Sequence, residues 1–349
     1  MYTNAHRGVP LTERVGESTR TQVPDWQTLR IFLELARRGS FRAAAESLGV
    51  SINVVRRRID ELENQTGTKL VVRHVHGATI TGEGRQILAV AQNMELASFG
   101  VIHARERAVP EVSGQVKLAA TEAFGTFWLA PRLVEFQRAN PQLVVDLSCA
   151  MRSADVLRLE AEAAVQLTKP TAPDLKLVRL GRIHSMPCAA PSYIATYGMP
   201  KSADDLRKHR LALQFAEQTS TQELYDQHYP DMPQNGFVAF RTNNSSALLW
   251  AILKGAGVGW SPTYMHAMGP KMIPLDIGMI FSFDIWLTYH PDAAQLPRVR
   301  RLIDWVIASF DPKTFPWFRD EFIHPRDLAR EYHGPPLVNL FERRSGAAD

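Results

Sequence analysis

Residues 29–67, LRIFLELARRGSFRAAAESLGVSINVVRRRIDELENQTG, decide the fold of the N-terminal part of the chain. Leu29, Phe32, Leu33 and Ala36 recur at helical spacing after Pro24 and Asp25, and Gly39 ends the segment. Ser40 is placed to cap a second helix with Phe41, Ala44, Ala45 and Leu48 apolar, and Gly49 closes it after barely two turns. Ser51 then caps a third helix running to about Asn64. Short helices joined by a tight glycine turn are the helix-turn-helix pattern.

The third helix divides into faces. Val55, Ile59 and Leu62 make a buried stripe, whereas Asn53, Arg56 and Arg57 share a different face. Two readings stand side by side for the run Arg56-Arg57-Arg58. One is a solvated basic face tied to Asp60 and Glu61 by pairs one helical turn apart. The other is a surface that reads DNA. The stretch KLVVRHVHGATIT at 69–81 weighs toward DNA, because its valine-rich runs flank His76-Gly77 as in a small hairpin, with Arg73, His74 and His76 near the tip. Such a wing lies along phosphates beside the groove a helix enters.

From Gly82 to about Ala108 there is no proline, and Ile87, Val90, Met94, Ala97 and Val101 repeat at three and four residues. That spacing predicts a linker helix that pairs with a copy of itself; packing on its own domain is the alternative. Residues 109–114, VPEVSG, read as a hinge.

The remainder alternates strands and helices. Val116, Leu118 and Ala120 alternate on a strand, a helix is expected over Phe127–Arg138, and Leu143–Cys149 is a second strand. A helix over Asp155–Glu162 and a strand over Ala163–Leu167 complete a βαβαβ order, hence a parallel sheet. A new unit is expected to start with a strand near Met186. It continues with a helix near Ser202–Lys208, strands at Leu211–Phe215 and Phe237–Arg241, and a helix at Ser245–Lys254. The strand FDIWLTYH and a helix over Pro297–Phe310 follow. Two α/β lobes joined by crossing strands make a cleft, where small ligands bind. Residues 312–349 carry too many aromatic residues for a free linker and are expected to dock on the body or on a partner chain.

The 349 residues suffice for two or three domains; 45% are hydrophobic, 22% are charged, and the net charge is only +4. The position of charge therefore matters more than its sum. Two cysteines, Cys149 and Cys188, fit a reducing compartment. No apolar run approaches membrane-spanning length, and residues 1–22 read as a flexible polar leader, so the expected location is the cytoplasm. His74 and His76 lack a Cys or Asp partner, so neither a metal nor a cofactor is expected.

The stretch from Leu29 to Gly84 closely resembles the DNA-binding domain of LysR-type regulators. The likeness rests on Gly39-Ser40-Phe41, Ala44-Ala45, Leu48, Ser51, Ile59, Leu62-Glu63, Gly67, Leu70, Arg73, Thr81 and Gly84. LAPRLVEFQRANPQLVVDL, Pro191-Ser192-Tyr193, ILKGAGVGWSP and HPDAAQLPRVRRLIDW resemble that family's periplasmic-binding-protein-like effector domain. The resemblance covers about residues 25–311. It implies an α+β and α/β multidomain chain: a winged helix-turn-helix at 23–81, a dimerising helix at 82–110, and an effector domain at 111–311. Lobe one would take about 111–186 and 285–311, and lobe two about 187–284. It also implies a homodimer or homotetramer on double-stranded DNA, a small-molecule effector, and RNA polymerase as a partner. The chain departs from the family at the start of the third helix, where Ser51-Ile52-Asn53 replaces Ser-Gln-Pro and Arg56-Arg57 replaces Ser-Arg. Glu160 and Glu162 replace a usual Gly and Asp.

For DNA, Asn53, Arg56 and Arg57 are the expected base readers, since Asn pairs bidentately with adenine and Arg with guanine. Ile52, set beside Val54 at the start of the helix, offers a methyl-methyl contact to thymine. Ser40, Ser51, Arg58, Arg73, His74 and Thr81 are phosphate candidates, with Ser40 and Thr81 equally placed as helix caps. For the effector, the strand-end residues Thr121, Glu122, Arg152, Ser153, Gln166, Thr168, Gln214, Phe215, Asn243, Asn244 and Ser245 are candidates; each can equally be a loop residue or a cap. Glu122 is unfavourable for a bare anion and points to a cationic or polyol-like effector. Cys149 and Cys188 near strand ends leave a redox-sensing regulator as the alternative.

An enzyme is the first rival reading, but no P-loop, GxSxG, HExxH or GxGxxG occurs; GAGVGW at 255–260 follows a helix rather than a strand. A solute-binding protein would not need residues 25–81, and a DNA-packing protein would not need two α/β lobes.

Overall fold

In a computed structural model, the structure describes residues 23–74, 77–106, 112–152, 156, 160–170, 174–219, 221–334 and 337, with side chains within the long helix described only to residue 95. The chain divides into two compact units near Phe99.

The first unit is built on three capped helices. Helix α1 (Trp26–Arg38) starts where Asp25 accepts from the Thr28 N–H at 2.8 Å and stops at Gly39 in the left-handed region. Helix α2 (Phe41–Leu48) is capped by Ser40, and α3 (Ile52–Thr66) by Ser51. Phe32, Leu33, Leu35, Ala44, Val55, Ile59 and Leu62 form their shared core, all buried. Each large apolar side chain so removed from water contributes roughly 1.5–3 kcal/mol.

Strands β1 (Val71–His74) and β2 (Gly77–Ile80) pair antiparallel, His74 opposite Gly77, as the wing; the turn residues 75–76, and with them the candidate tip residue His76, lie outside the described residues. Buried Glu63 anchors the wing to α3, its Oε1 accepting from the backbone N–H groups of Leu70 at 2.9 Å and Val71 at 3.1 Å. Helix α4 (Gly82–Glu106) follows without a break. Gly84 near its start has no room for a Cβ, which would collide with the Leu70 carbonyl.

The second unit carries one mixed seven-stranded sheet. Strands β3 (Gly114–Ala120), β4 (Leu143–Cys149) and β5 (Ala163–Gln166) are parallel in the order β4-β3-β5. The long strands β6 (Lys176–Ala189) and β11 (Phe281–Tyr289) run antiparallel to each other, and β11 also pairs with β5. Strands β9 (Gly259–Pro262) and β10 (Ile273–Pro274) complete the sheet on β6. A separate parallel pair, β7 (Leu211–Gln214) and β8 (Val238–Thr242), belongs to the second lobe.

Helix α5 (Ala130–Ala139) packs on lobe one beside α11 (Pro297–Ser309); α6 (Pro191–Tyr197), α7 (Thr221–His228), the single turn α8 (Gln234–Phe237), α9 (Ser245–Leu253) and α10 (Thr263–Ala267) build lobe two.

Several expectations are corrected. The strand expected near Met186 begins ten residues earlier, at Lys176, and crosses from one lobe to the other, with Gly181 and Pro187 inside it. The helix expected at Phe127 is preceded by helical residues from Glu122 and passes through a π-helical turn, Phe124–Leu129, in which Gly125 lies against Cys149, where a Cβ would strike Sγ. The helix expected over 155–162 is not formed at Glu160–Glu162; Val156 sits in a 3-10 turn, and residues 153–155 and 157–159 lie outside the described residues. The segment near 202–208 is a 3-10 turn, Asp204–Lys208.

After α11 the chain folds back onto lobe one. Phe315, Trp317 and Phe318 are buried around Trp128 and Phe310, with ring centroids of Trp128 and Phe315 4.9 Å apart. Gly181 lets the Phe318 backbone lie flat on β6, since a Cβ there would meet its carbonyl oxygen. The short helix α12 (Leu328–Glu331) ends the described part of this extension apart from the residues just after it. Among the described residues, no helix is long and apolar enough to cross a membrane, and no group of His, Cys, Asp and Glu is arranged to hold a metal.

Candidate functional site

The exposed face of α3 is set by its buried one. With Val55, Ile59 and Leu62 packed inward, Asn53, Arg56 and Arg57 point to solvent. Arg56 makes no hydrogen bond or ion pair among the described residues, and Arg57 Nε is 3.5 Å from Glu61, one turn along. Arg58 turns the other way: its Nη1 reaches Asp25 at 3.3 Å, Thr28 at 3.4 Å and Glu61 at 3.2 Å, pinning α3 to α1. Arg73 on the wing pairs with Asp60 and lies 5.0 Å above the Phe41 ring. His74 is exposed beside it.

Ser40 and Ser51 accept from Ala43 N–H and Val54 N–H, at 3.5 and 3.4 Å, as N-caps. Thr81 caps α4 at 2.9 Å from the Gly84 N–H and donates to the Lys69 carbonyl at 2.7 Å. Ile52 is half-buried against the helix core, and Val54 is half-buried. The structure therefore gathers Asn53, Arg56 and Arg57 on one open face, and gives Arg58, Ser40, Ser51 and Thr81 structural partners.

Between the lobes of the second unit lies a cleft enclosing about 1230 Å³, part of it open to solvent. Thr121 at the end of β3 and Phe124 and Phe127 of the π turn form one wall; Gln214 at the end of β7, Ser245 and Leu249 of α9, and Tyr229 form the other. Thr121 is also shared with a second, polar cavity of about 670 Å³ at the carboxyl ends of the parallel strands, lined by Arg152 and Gln166 among others. There the buried Gln166 amide donates to the Thr168 carbonyl at 3.1 Å while its Oε1 has no protein partner. Arg152 is held by Glu160 at 3.0 Å.

The effector candidates thus separate. Thr121, Gln214 and Ser245 line the large cleft, and Arg152 and Gln166 the polar cavity. Thr168, Phe215, Asn243 and Asn244 line neither, and Ser153 lies outside the described residues. Asn244 is the N-cap of α9, its Oδ1 accepting from Ala247 N–H at 2.8 Å. Phe215 carries the Arg241 guanidinium 4.3 Å from its ring.

Glu122 has a partner that changes its meaning. Its carboxylate accepts from the Ser246 N–H at 3.0 Å and from the Ser246 and Thr126 hydroxyls, so it caps the first turn of α9 from across the lobes. It does not line the cleft, so its charge does not point to a cationic or polyol-like effector. The apolar cleft residues, such as Trp260, Met265 and Phe281, were missed because in a sequence they carry the same signal as core.

Neither cysteine sits where a thiolate is favoured. Burial pushes the Cys188 thiol up to about 12, and its Sγ lies 3.4 Å from the Gly259 carbonyl. Cys149 is raised by partial burial and by the Glu122 charge.

The family profile described as LysR substrate binding domain matches residues 110–311, and that described as bacterial regulatory helix-turn-helix protein, lysR family, matches residues 26–85. An HTH-type transcriptional regulator of Xanthomonas campestris pv. campestris (strain 8004) is 29% identical over 299 residues, covering 80% of this chain and 84% of that one. The glycine cleavage system transcriptional activator of Escherichia coli (strain K12) is 26% identical over 295 residues, covering 82% and 94%. The crystal structure of ArgP from Mycobacterium tuberculosis shares the fold, with a TM-score of 0.54 at 20% identity over 83% of this chain and 98% of that one. The chain belongs to the LysR family: it is a LysR-type transcriptional regulator with a DNA-binding helix-turn-helix and an effector-binding domain.

Proposed function

We propose that this regulator reads its operator with Asn53, Arg56 and Arg57 and responds to a small molecule held in the cleft between the two lobes. The observation that carries the reading is the cleft itself, which opens beside β6 and β11, the two strands that cross between lobes. A ligand that touches both walls binds one lobe arrangement better than another and must shift the equilibrium toward it. The chain would act in the cytoplasm as a homodimer or homotetramer assembled through residues 82–110, with residues 23–81 on double-stranded DNA, residues 111–311 sensing, and RNA polymerase as a partner. His74 and Arg73 would follow the phosphates. The test is to map the DNA fragments retained by the protein in a cell and then footprint them. Retention of unrelated DNA as firmly as of any discrete promoter would overturn the reading.

A further inference from the structure

We infer that the effector is an uncharged, predominantly apolar molecule, rather than a carboxylate or a cation. This rests on the reading of the interlobe cleft as the effector site. No lysine, arginine, aspartate or glutamate lines that cleft among the described residues; its imidazole, His228, stands exposed at the rim with Nδ1 2.9 Å from the Leu224 carbonyl. A buried carboxylate without a cation or several donors is strongly disfavoured, and a buried ammonium without an acceptor charge equally so.

An anion-seeking feature at the cleft edge, the first turn of α9, is already occupied. Glu122 holds the Ser246 N–H, and Asn244 holds the Ala247 N–H. The chain's own carboxylate thus stands where a ligand's carboxylate would be received, and its charge repels a second one.

Most polar groups on the walls are spent on protein partners. Gln214 bonds Ser245 at 3.0 Å, Thr219 bonds Thr221 at 2.8 Å, and Trp260 Nε1 donates to the Met279 carbonyl at 3.2 Å. What remains partly open is mainly aromatic and thioether surface, including Phe281, Phe283 and Met151. Methionine adapts its shape to flat apolar ligands and contacts aromatic rings favourably.

Two fluorescent probes isolate the charge. N-phenyl-1-naphthylamine is neutral, and 1-anilinonaphthalene-8-sulfonate is the same skeleton with a sulfonate. Each is titrated into the full-length protein and into Thr221→Arg, which places a cation at the half-buried first position of α7 on the cleft wall. The neutral probe is expected to saturate at one site per chain and to bind at least tenfold more tightly than the sulfonate. In Thr221→Arg that preference should narrow or invert, a response that loose packing would not produce because it raises both probes together. A sulfonate bound as tightly as the neutral probe, with both sensitive to Thr221→Arg, would overturn the ligand class and leave the cleft as a site. If neither probe's binding responds to Thr221→Arg, the cleft is not the site, and both readings fall.

Discussion

His324 Nε2 lies 2.7 Å from Asp276 Oδ1, so a C-terminal extension whose aromatic residues are set in lobe one is fastened to lobe two. Arg326 joins the same carboxylate. On the lobe-one side, Arg179 binds both Asp284 and Asp320, and the His184 ring bridges Ser282 and the Arg319 carbonyl at 2.7 and 3.0 Å. The extension therefore straps the two lobes together and braces Trp128, whose π turn supplies Phe124 and Phe127 to the cleft.

The two ends of this strap should differ in energy. Trp317 is 2% exposed, and Trp317→Ala should lower the stability of the second unit by about 3–5 kcal/mol through the cavity it leaves. Asp276 is an exposed ion-pair partner, so Asp276→Asn should cost at most about 1 kcal/mol. Thermal unfolding of the two variants checks the order; equal losses would show that the aromatic cluster is not what holds the extension.

A pH dependence follows from His266 on α10. Burial, with a smaller contribution from the His324 charge, pushes its imidazole down to about 4, and its Nε2 has no protein partner. The unfolded chain protonates this residue near its ordinary value of 6.5, while the native chain keeps it neutral down to about 4. Between those values the unfolded state binds more protons, so stability falls with acidification by up to about 1.4 kcal/mol per pH unit. His184 and His209, both lowered by burial, act in the same direction. His266→Phe should flatten part of the decline in the unfolding midpoint between pH 6.5 and 4. An unchanged slope would mean that the native state admits the proton.

The first unit was legible because each helix announces its own ends: Asp25, Ser40 and Ser51 start them, and Gly39, Gly49 and Gly67 stop them. The parallel strands were legible from the alternation of Val116, Leu118 and Ala120. The full length of strand β6 was not, because Gly181 and Pro187 lie within it, and what accommodates Gly181 there is the backbone of Phe318, 137 residues along the chain. Glu122 shows the same limit at the cleft. Its charge is in the sequence, but the helix start that consumes it lies 124 residues away. The apolar walls give no local signal at all, since a lining phenylalanine and a core phenylalanine have the same periodicity.

On α3, neighbouring arginines should separate by function. Arg57→Ala should weaken specific DNA binding by about 1–3 kcal/mol and relax one base position, because its side chain stands on the open face. Arg58→Ala removes contacts to Asp25, Thr28 and Glu61, and should reduce the unfolding midpoint of the first unit while leaving operator preference unchanged. Binding curves on operator and unrelated DNA, measured beside unfolding curves, decide the matter. A specificity change in Arg58→Ala without a loss of stability would reverse the two roles.

Helix α4 presents two unlike sides. Its inner side is accounted for: Ala91 is buried, Ile87 and Leu88 pack on the helix-turn-helix core, and Arg37 pairs with Glu95. Val90 and Met94, one turn apart, remain 56% and 38% exposed on a helix of 25 residues. Apolar residues at that spacing, outside the core their own unit forms, are what a seam with a second copy requires. Met94→Glu would bury an uncompensated charge in such a seam, at a cost of about 3 kcal/mol or more, which raises the dissociation constant at least a hundredfold. The α1–α3 core does not include Met94, so the unfolding midpoint of the first unit should move far less than the association does. Light scattering at low micromolar concentration should then report a smaller assembly for the variant than for the unmodified chain. An identical mass for both would place the contact between copies on another surface.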